Sequence, residues 1–145
     1  MKRIELNSEK DTLDLAHYVA PLVGPGSVIT LQGELGTGKT FFVKALGGFL
    51  GVPDEMDSPS FVIFKEYHCG RFPLYHLDLY RLKSEDELLD LGLLDMLESG
   101  ITVIEWPEIA KDFLPYETLR LHFHLENGKR YVDVYPDKSL EASFE

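Results

Sequence analysis

The sequence has few of the residues that mark secreted or membrane-bound proteins. Its 145 residues include one cysteine, Cys69, which excludes an internal disulfide and a metal cluster built from cysteines. No apolar run approaches the ~20 residues that a membrane span needs. The basic residues that follow Met1 are not succeeded by the apolar segment of a secretory signal. We therefore expect a cytoplasmic protein that has no contact with membranes.

Positive charge is also scarce. The chain has 14 Lys and Arg against 25 Asp and Glu, which gives a formal net charge of −11 at pH 7. A protein that binds nucleic acid through its own surface usually carries a basic face, whereas the basic residues here are scattered singly or in pairs. Any contact with a polyanion should be local or supported by a partner, and the acidity otherwise favours solubility.

The length of the chain and the order of its patterns indicate one α/β domain. No linker, repeat or low-complexity segment divides the chain, so residues 1–145 are expected to form a single domain. Strand-like and helix-like segments alternate in the first part, and hairpin signals such as Asn127-Gly128 follow in the second. This order predicts an α/β fold whose sheet contains parallel and antiparallel strands.

A glycine-rich segment carries the strongest chemical signal. It matches the pattern G-x-x-x-x-G-K-[ST], follows the β-branched run Val28–Leu31 and precedes a helix-like run. Glycines allow positive φ angles, so several backbone N–H groups can converge on one anion at the start of the helix. The segment predicts a P-loop NTPase-like three-layer fold that binds ATP, or a related nucleotide, and Mg²⁺. The expected nucleotide contacts are Gly33, Glu34, Leu35, Gly36, Thr37, Gly38, Lys39, Thr40 and Phe41.

The metal requires further oxygen ligands. Thr40 offers a hydroxyl to Mg²⁺, and a phosphate loop usually works with a carboxylate at the end of an adjacent buried strand. Glu105 directly follows the buried-type run Ile101–Ile104 and is the best candidate, as a metal ligand or as the group that orients a water. The alternative is a solvated glutamate beside a structural Trp106-Pro107 turn.

Two other polar segments are candidates for the same site. Strand alternation places His76, Asp78 and Tyr80 on one face, which suits a second acid directed at Mg²⁺ or, alternatively, a hydrogen-bond network at a sheet edge. His76 alone is more often structural. Ser60 could reach Mg²⁺ in the triphosphate state and release it after hydrolysis, or it could lie in an ordinary turn. Trp106 could stack on a base or a partner, or simply pack.

Four segments follow one another in the sequence: Gly33–Thr40, Ser58-Pro59-Ser60-Phe61, His76-Leu77-Asp78-Leu79-Tyr80-Arg81 and Glu105-Trp106-Pro107-Glu108. Together they resemble the TsaE family, also called YjeE, over nearly the whole chain. Two departures fall in the phosphate loop, where Glu34 replaces a common Asp and Phe41 a common Thr. A third is Ser60, which also replaces Thr but keeps a hydroxyl.

The resemblance implies a weak ATPase that acts on a TsaD–TsaB complex, whose TsaD subunit modifies tRNA by threonylcarbamoylation of the adenosine beside the anticodon. It assigns Thr40 and Glu105 to Mg²⁺, and by analogy Asp78 to the metal or the hydrolytic water. With Lys39, these acids form the expected catalytic set. It also implies that Thr12 and Arg130 approach the nucleotide, and that this acidic chain contacts tRNA only through the complex.

Two other functions fit a phosphate loop. A small-molecule kinase would need an arginine-bearing lid over its acceptor, and the sequence shows no inserted lid. A GTP-dependent switch that acts only by binding would need an Asn/Thr-Lys-x-Asp segment. The nearest match, residues 127–130, lacks the Asp.

Overall fold

The computed structural model describes residues 2–34, 36–52, 64–68, 70–115 and 117–135. Leu35, Cys69 and Ser60, with the rest of the Ser58–Phe61 segment, lie outside these residues. Within them, seven strands form one sheet in the order β1-β7-β6-β2-β5-β4-β3. The strands are β1 Lys2–Glu5, β2 Val28–Gln32, β3 Phe64–Tyr67, β4 Leu74–Asp78, β5 Ile101–Glu105, β6 Leu119–Glu126 and β7 Lys129–Tyr135.

Helices cover both faces of the central strands. Apolar side chains from α1 and α2 form one core with one face of the sheet, and α3, α4 and a 3₁₀ helix enclose a second core on the other face. This arrangement confirms the predicted three-layer α/β fold with a mixed sheet. In the described part of the chain, no helix is long and apolar enough to cross a membrane. The helices are α1 Glu9–Val19, α2 Lys39–Phe49, α3 Glu85–Asp90, α4 Leu93–Ser99, and the 3₁₀ helices Ala20–Leu22 and Pro107–Phe113.

The central strands are parallel and the outer strands are antiparallel. β2 runs parallel to β5 and β6, and β4 runs parallel to β5. β3 and β7 pair antiparallel to β4 and β6, and β1 pairs antiparallel to β7. The residues of β5 are buried throughout, as its apolar run predicts for a central parallel strand. The carboxyl ends of β2, β4, β5 and β6 therefore share one edge, where ligands of such sheets usually bind.

The turn and helix signals of the sequence are largely confirmed. Asn127 and Gly128 have φ values of 53° and 77° between β6 and β7, as a two-residue type I′ hairpin requires. Ser84 accepts the Glu87 N–H at the start of α3, and Gly92, with φ 86°, separates α3 from α4. Strand β1 is not predicted by the sequence, because four residues at a sheet edge carry no clear alternation.

An ion pair holds β1 to β7 in addition to the backbone ladder. Arg3 Nε lies 2.7 Å from Asp133 Oδ1, and Arg3 Nη2 lies 3.1 Å from Asp133 Oδ2. His124 Nε2 is 3.2 Å from the same Oδ2. The hydrogen bond from Arg3 lowers the pKa of the Asp133 carboxyl, although burial acts in the opposite direction.

Replacing Asp133 by Asn should lower the free energy of unfolding at pH 7, and the deficit should shrink on acidification. Because the folded state lowers the pKa of Asp133, the carboxylate stabilises the fold above its ordinary pKa of about 4. This contribution is lost as the pH falls through the lower folded-state value. Urea unfolding over a pH series measures the effect. Arg3→Gln removes the main cause of the lowered Asp133 pKa and should show the same pH dependence. A loss of stability that grows on acidification would contradict the role assigned to the Asp133 carboxylate.

Candidate nucleotide site

The phosphate loop joins the end of β2 to the start of α2 at the shared edge of the sheet. Gly36 and Gly38 have φ values of 82° and 107°, which glycine adopts without strain. The buried Thr37 donates a 2.6 Å hydrogen bond from its hydroxyl to the Glu34 carbonyl, which closes the loop on itself. The backbone N–H groups of the first turn of α2 can donate hydrogen bonds to an anion at this position.

Gly33 begins the loop beneath β6 and tolerates no side chain. Its φ is 139°, and an added Cβ would lie 2.4 Å from the Phe123 carbonyl oxygen. We expect Gly33→Ala to lower the free energy of unfolding by roughly 1–3 kcal/mol through backbone strain. The matched control is Gly48→Ala in α2, where an added Cβ has no atom within 4 Å. That change should stabilise by about 0.5–1 kcal/mol. Equal effects in urea unfolding would contradict the geometry.

Lys39 is the first residue of α2, and only 6% of its surface is exposed. Its Nζ lies 3.7 Å from Glu105 Oε1 and 4.8 Å from the centroid of the Trp106 ring. A buried cation needs such partners, because the interior replaces its water shell poorly. The lysine of the phosphate loop is thus held between a carboxylate and an indole ring.

Glu105 is the last residue of β5 and is only 5% exposed. Its Oε2 lies 2.7 Å from His76 Nε2 on the neighbouring strand β4, and its Oε1 faces Lys39. The carboxylate therefore joins β5 to β4 and to α2. Glu105 is not a solvated residue at the end of a strand, and its burial among polar partners suits a functional role.

Asp78 lies beside Glu105 at the end of β4, because the two residues are partners in the parallel ladder. Its Oδ1 accepts the Tyr80 N–H at 3.0 Å. Burial raises the pKa of the Asp78 carboxyl, the hydrogen bond from Tyr80 opposes this, and the neighbouring charge of Glu105 adds to the rise. A bound cation would stabilise the charged form of the Asp78 carboxyl, which burial and the neighbouring Glu105 disfavour.

Trp106 takes an uncommon backbone conformation directly after Glu105. Its φ of 55° lies in the left-handed region, which is rare for a bulky residue, and Pro107 then starts the 3₁₀ helix. The turn places the indole against Tyr80, with ring centroids 5.0 Å apart, as well as against Lys39. Tyr80 itself lies in the turn after β4 and is exposed, so it does not share a strand face with His76, contrary to the expectation from alternation.

A cavity of about 590 Å³ opens beside the loop, between β6 and the 3₁₀ helix Pro107–Phe113. β6 continues beyond its last pair with β2, Gln32 with His122, as far as Glu126. Gln32 Nε2 donates to Glu108 Oε1 at 3.3 Å within this lining. The cavity is lined by Gln32, Gly33, Glu34, Thr37, Trp106, Glu108, His122, Phe123, His124 and Leu125.

Comparison with known proteins identifies the family. The family model described as threonylcarbamoyl adenosine biosynthesis protein TsaE matches residues 6–132. The chain belongs to the TsaE family. Among its relatives, the tRNA threonylcarbamoyladenosine biosynthesis protein TsaE of Nostoc sp. (strain PCC 7120 / SAG 25.82 / UTEX 2576) is 43% identical over 145 residues, which cover 94% of this chain and 86% of the relative.

Two further TsaE proteins and one solved structure agree. The TsaE protein of Rickettsia bellii (strain RML369-C) is 38% identical over 131 residues, covering 89% of this chain and 91% of the relative. The TsaE protein of Bacillus subtilis (strain 168) is 41% identical over 113 residues, covering 77% of this chain and 70% of the relative. The crystal structure of Bacillus subtilis YdiB is similar with a TM-score of 0.75 at 28% identity, covering 99% of this chain and 90% of that one.

Within this TsaE-family chain, the structure brings three of the predicted site residues together. Lys39, Asp78 and Glu105 meet where α2 begins and where β4 and β5 end. Thr40 follows Lys39 in the first turn of α2 and is half-buried. Leu35 and Ser60 lie outside the described residues, so their expected contacts stay predictions.

Thr12 and Arg130 lie at the same edge of the sheet as the loop but do not line the cavity. β1 runs parallel to β6 and β2, so α1 begins at this edge with Thr12 in its first turn. Thr12 is 6% exposed, whereas Arg130 is exposed on β7 and its carbonyl accepts the Leu6 N–H at 2.8 Å. Their expected contacts with the nucleotide stay predictions.

Four polar residues of the cavity were missed from the sequence: Gln32, Glu108, His122 and His124. Gln32 directly precedes the phosphate loop, and Glu108 ends the segment Glu105–Glu108, so the sequence places both next to predicted site residues. The two histidines alternate with apolar residues in the run Leu121–Leu125, which the sequence shows. That β6 lies beside the loop is a matter of long-range strand pairing, and no local pattern reveals it.

Proposed function

We propose that this protein binds ATP with Mg²⁺ and hydrolyses it in support of a TsaD–TsaB-like complex, which threonylcarbamoylates N6 of the adenosine beside the tRNA anticodon. Membership of the TsaE family supports the place in tRNA threonylcarbamoyladenosine biosynthesis. The observation that carries the proposal of hydrolysis is the meeting of Lys39 and Glu105 at the phosphate loop, with 3.7 Å between Nζ and Oε1. The net charge of −11 favours contact with tRNA through the complex.

The oxygen donors at the loop suit Mg²⁺. This cation prefers hard oxygen ligands and is usually bound by one or two carboxylates together with substrate phosphates. Among the described residues, no group of three or more His, Cys, Asp or Glu could hold a metal alone, so the nucleotide would complete the ligand set. In the proposal Thr40 and Glu105 hold Mg²⁺, which when bound neutralises charge on the β- and γ-phosphate oxygens.

Lys39 would change partners when the nucleotide binds. Its ammonium is a flexible point charge with three donors, and phosphate oxygens offer a stronger acceptor set than one carboxylate oxygen. If the Lys39 ammonium moved to the β- and γ-phosphates, it would release Glu105 Oε1, while His76 would stay hydrogen-bonded to Oε2. The carboxylate oxygen needed for the metal or for a water would then become available as the nucleotide arrives.

Glu105 and Asp78 would supply the base or the orienting group for the attacking water. An ionised carboxylate beside the γ-phosphate can accept a proton from water or fix its direction of attack. Burial raises the pKa of the Asp78 carboxyl, which suits a hydrogen-bonding contribution. Glu105 is therefore the principal catalytic residue in the proposal, with Lys39 stabilising the phosphate charge.

Release of phosphate tests the proposed activity. The purified protein with ATP and Mg²⁺ should release phosphate slowly, and faster when the TsaD and TsaB partners are added. ATP binding without release in either condition would remove hydrolysis from the proposal. Transfer of label to a small acceptor faster than release would favour a kinase, and clear preference for GTP in competition binding would favour a GTP-dependent switch.

Retention of the partners tests the proposed assembly. Immobilised protein should retain the TsaD and TsaB partners in a nucleotide-dependent manner, and a Lys39→Ala variant should lose that dependence. Equal retention with and without ATP would contradict the proposal that nucleotide controls the complex.

A further inference from the structure

We propose that His76 is a positioning residue that orients the Glu105 carboxylate for Mg²⁺ by donating a hydrogen bond from Nε2. His76 lies on β4 and is only 1% exposed, and its Nε2 is 2.7 Å from Glu105 Oε2. The inference rests on the proposed function, in which Glu105 is a ligand of the metal. It adds a residue that does not touch nucleotide or metal and acts only through Glu105.

The second ring nitrogen of His76 determines which tautomer is present. Nδ1 is buried and has no hydrogen-bond partner among the described residues. A proton on Nδ1 would be a buried unpaired donor, which is costly, and it would leave the Nε2 lone pair facing the carboxylate oxygen. A ring that carries its proton on Nε2 and leaves Nδ1 without one avoids both penalties. His76 is therefore the donor, and Glu105 Oε2 is the acceptor.

This hydrogen bond leaves one carboxylate oxygen for the site. Oε2 is engaged by His76, so Oε1 is the oxygen that faces Lys39 at 3.7 Å. Rotation of the carboxylate about its terminal bond is soft in a free glutamate, and the bond to His76 fixes it. The backbone at both ends is also fixed, because β4 and β5 pair in the parallel ladder and Leu79 N donates to the Glu105 carbonyl at 3.1 Å.

A purely structural role would make a different prediction. If His76 only satisfied a buried carboxylate, its loss would change the stability of the fold and leave the metal dependence of nucleotide binding intact. A residue that orients a metal ligand instead changes metal affinity, typically by 10- to 100-fold when removed. Metal affinity measured apart from nucleotide affinity therefore separates the two roles.

Two amide substitutions make a matched pair. In His76→Gln the amide nitrogen reaches about as far as Nε2 and can still donate to Glu105, whereas in His76→Asn it stops near the position of Nδ1. Both variants bury one amide. We expect His76→Asn to raise the Kd of Mg²⁺ roughly 10-fold or more in the presence of a non-hydrolysable ATP analogue, and His76→Gln to change it by less than about 3-fold. Binding of the analogue in EDTA should be unchanged in both.

Calorimetric titration of Mg²⁺ into the protein–analogue complex measures the Kd of Mg²⁺ for wild type and for both variants. Wild-type affinity in His76→Asn, or an equal loss in both variants, would overturn the inference. If the wild-type protein shows no Mg²⁺-dependent nucleotide binding, the proposed function itself fails, and that result does not depend on either variant.

Long-range ¹H–¹⁵N spectra of the wild-type imidazole ring provide a measurement that needs no variant to fold. The Nε2–H tautomer is expected for His76, and Glu105→Ala should relax that preference. An Nδ1–H tautomer in the wild-type protein would overturn the inference, because Nε2 could not then donate.

Discussion

Replacing Lys39 with alanine should raise the Kd for ATP by roughly 30- to 4,000-fold. Removing one member of a buried, hydrogen-bonded charge pair costs about 2–5 kcal/mol, and each 1.4 kcal/mol is tenfold in Kd. Lys39 is buried at the start of α2, so its removal takes a desolvated cation away from the proposed phosphate site. Calorimetric titration with ATP, with and without Mg²⁺, measures the loss.

Lys44→Ala is the matched control for this prediction. Lys44 lies in the same helix but is exposed, so its removal takes the same charge from the protein without touching the loop. ATP affinity in that variant should stay within about twofold of wild type, since a solvent-exposed charge contributes little. Undiminished ATP affinity in Lys39→Ala, or equal losses in the two variants, would contradict the assignment of the loop lysine.

Glu105→Gln should keep ATP binding and lose hydrolysis by roughly 10²–10⁴-fold, the range for loss of a positioned acid–base group. The amide has nearly the size of the carboxylate and keeps a carbonyl oxygen for His76, so the fold should be retained. In addition, the neutral side chain no longer competes for Lys39, from which Oε1 is 3.7 Å away. ATP binding in EDTA should therefore be as tight as in wild type or tighter.

Asp112 provides the control for Glu105. Asp112 is exposed in the 3₁₀ helix that follows β5 and does not line the cavity, so Asp112→Asn removes one negative charge without altering the buried cluster. Its turnover should stay within a few-fold of wild type. Normal turnover in Glu105→Gln would remove Glu105 from the catalytic role, whatever the behaviour of the control.

Local patterns were sufficient for much of the fold. The strand before the phosphate loop, the helix after it and the Asn127-Gly128 hairpin each depend on residues near in sequence, where propensity and turn chemistry act directly. The same holds for Glu105 at the end of the apolar run Ile101–Ile104. These features could be predicted because each is decided within about ten residues.

Contacts between distant segments could not be predicted in the same way. The bond between His76 and Glu105 joins residues 29 positions apart, and the contact of Lys39 with Glu105 depends on the placement of α2 over the sheet. The sequence placed His76, Asp78 and Tyr80 together by alternation, and the strand instead ends at Asp78. Where strands stop and which strands are neighbours is determined by tertiary packing, which a short window does not contain.

The pairing of β1 with β7 has a consequence for how the protein matures. Arg3 and Asp133 are 130 residues apart, so this edge of the sheet cannot close until the chain has left the ribosome as far as Asp133. Pairings of such long range form slowly. The phosphate loop leaves the ribosome early, whereas β6, the strand that packs against Gly33, leaves it late. A nascent chain that ends before β6 would therefore carry the loop sequence without the enclosure that shapes it, and nucleotide could assist folding only near the end of synthesis.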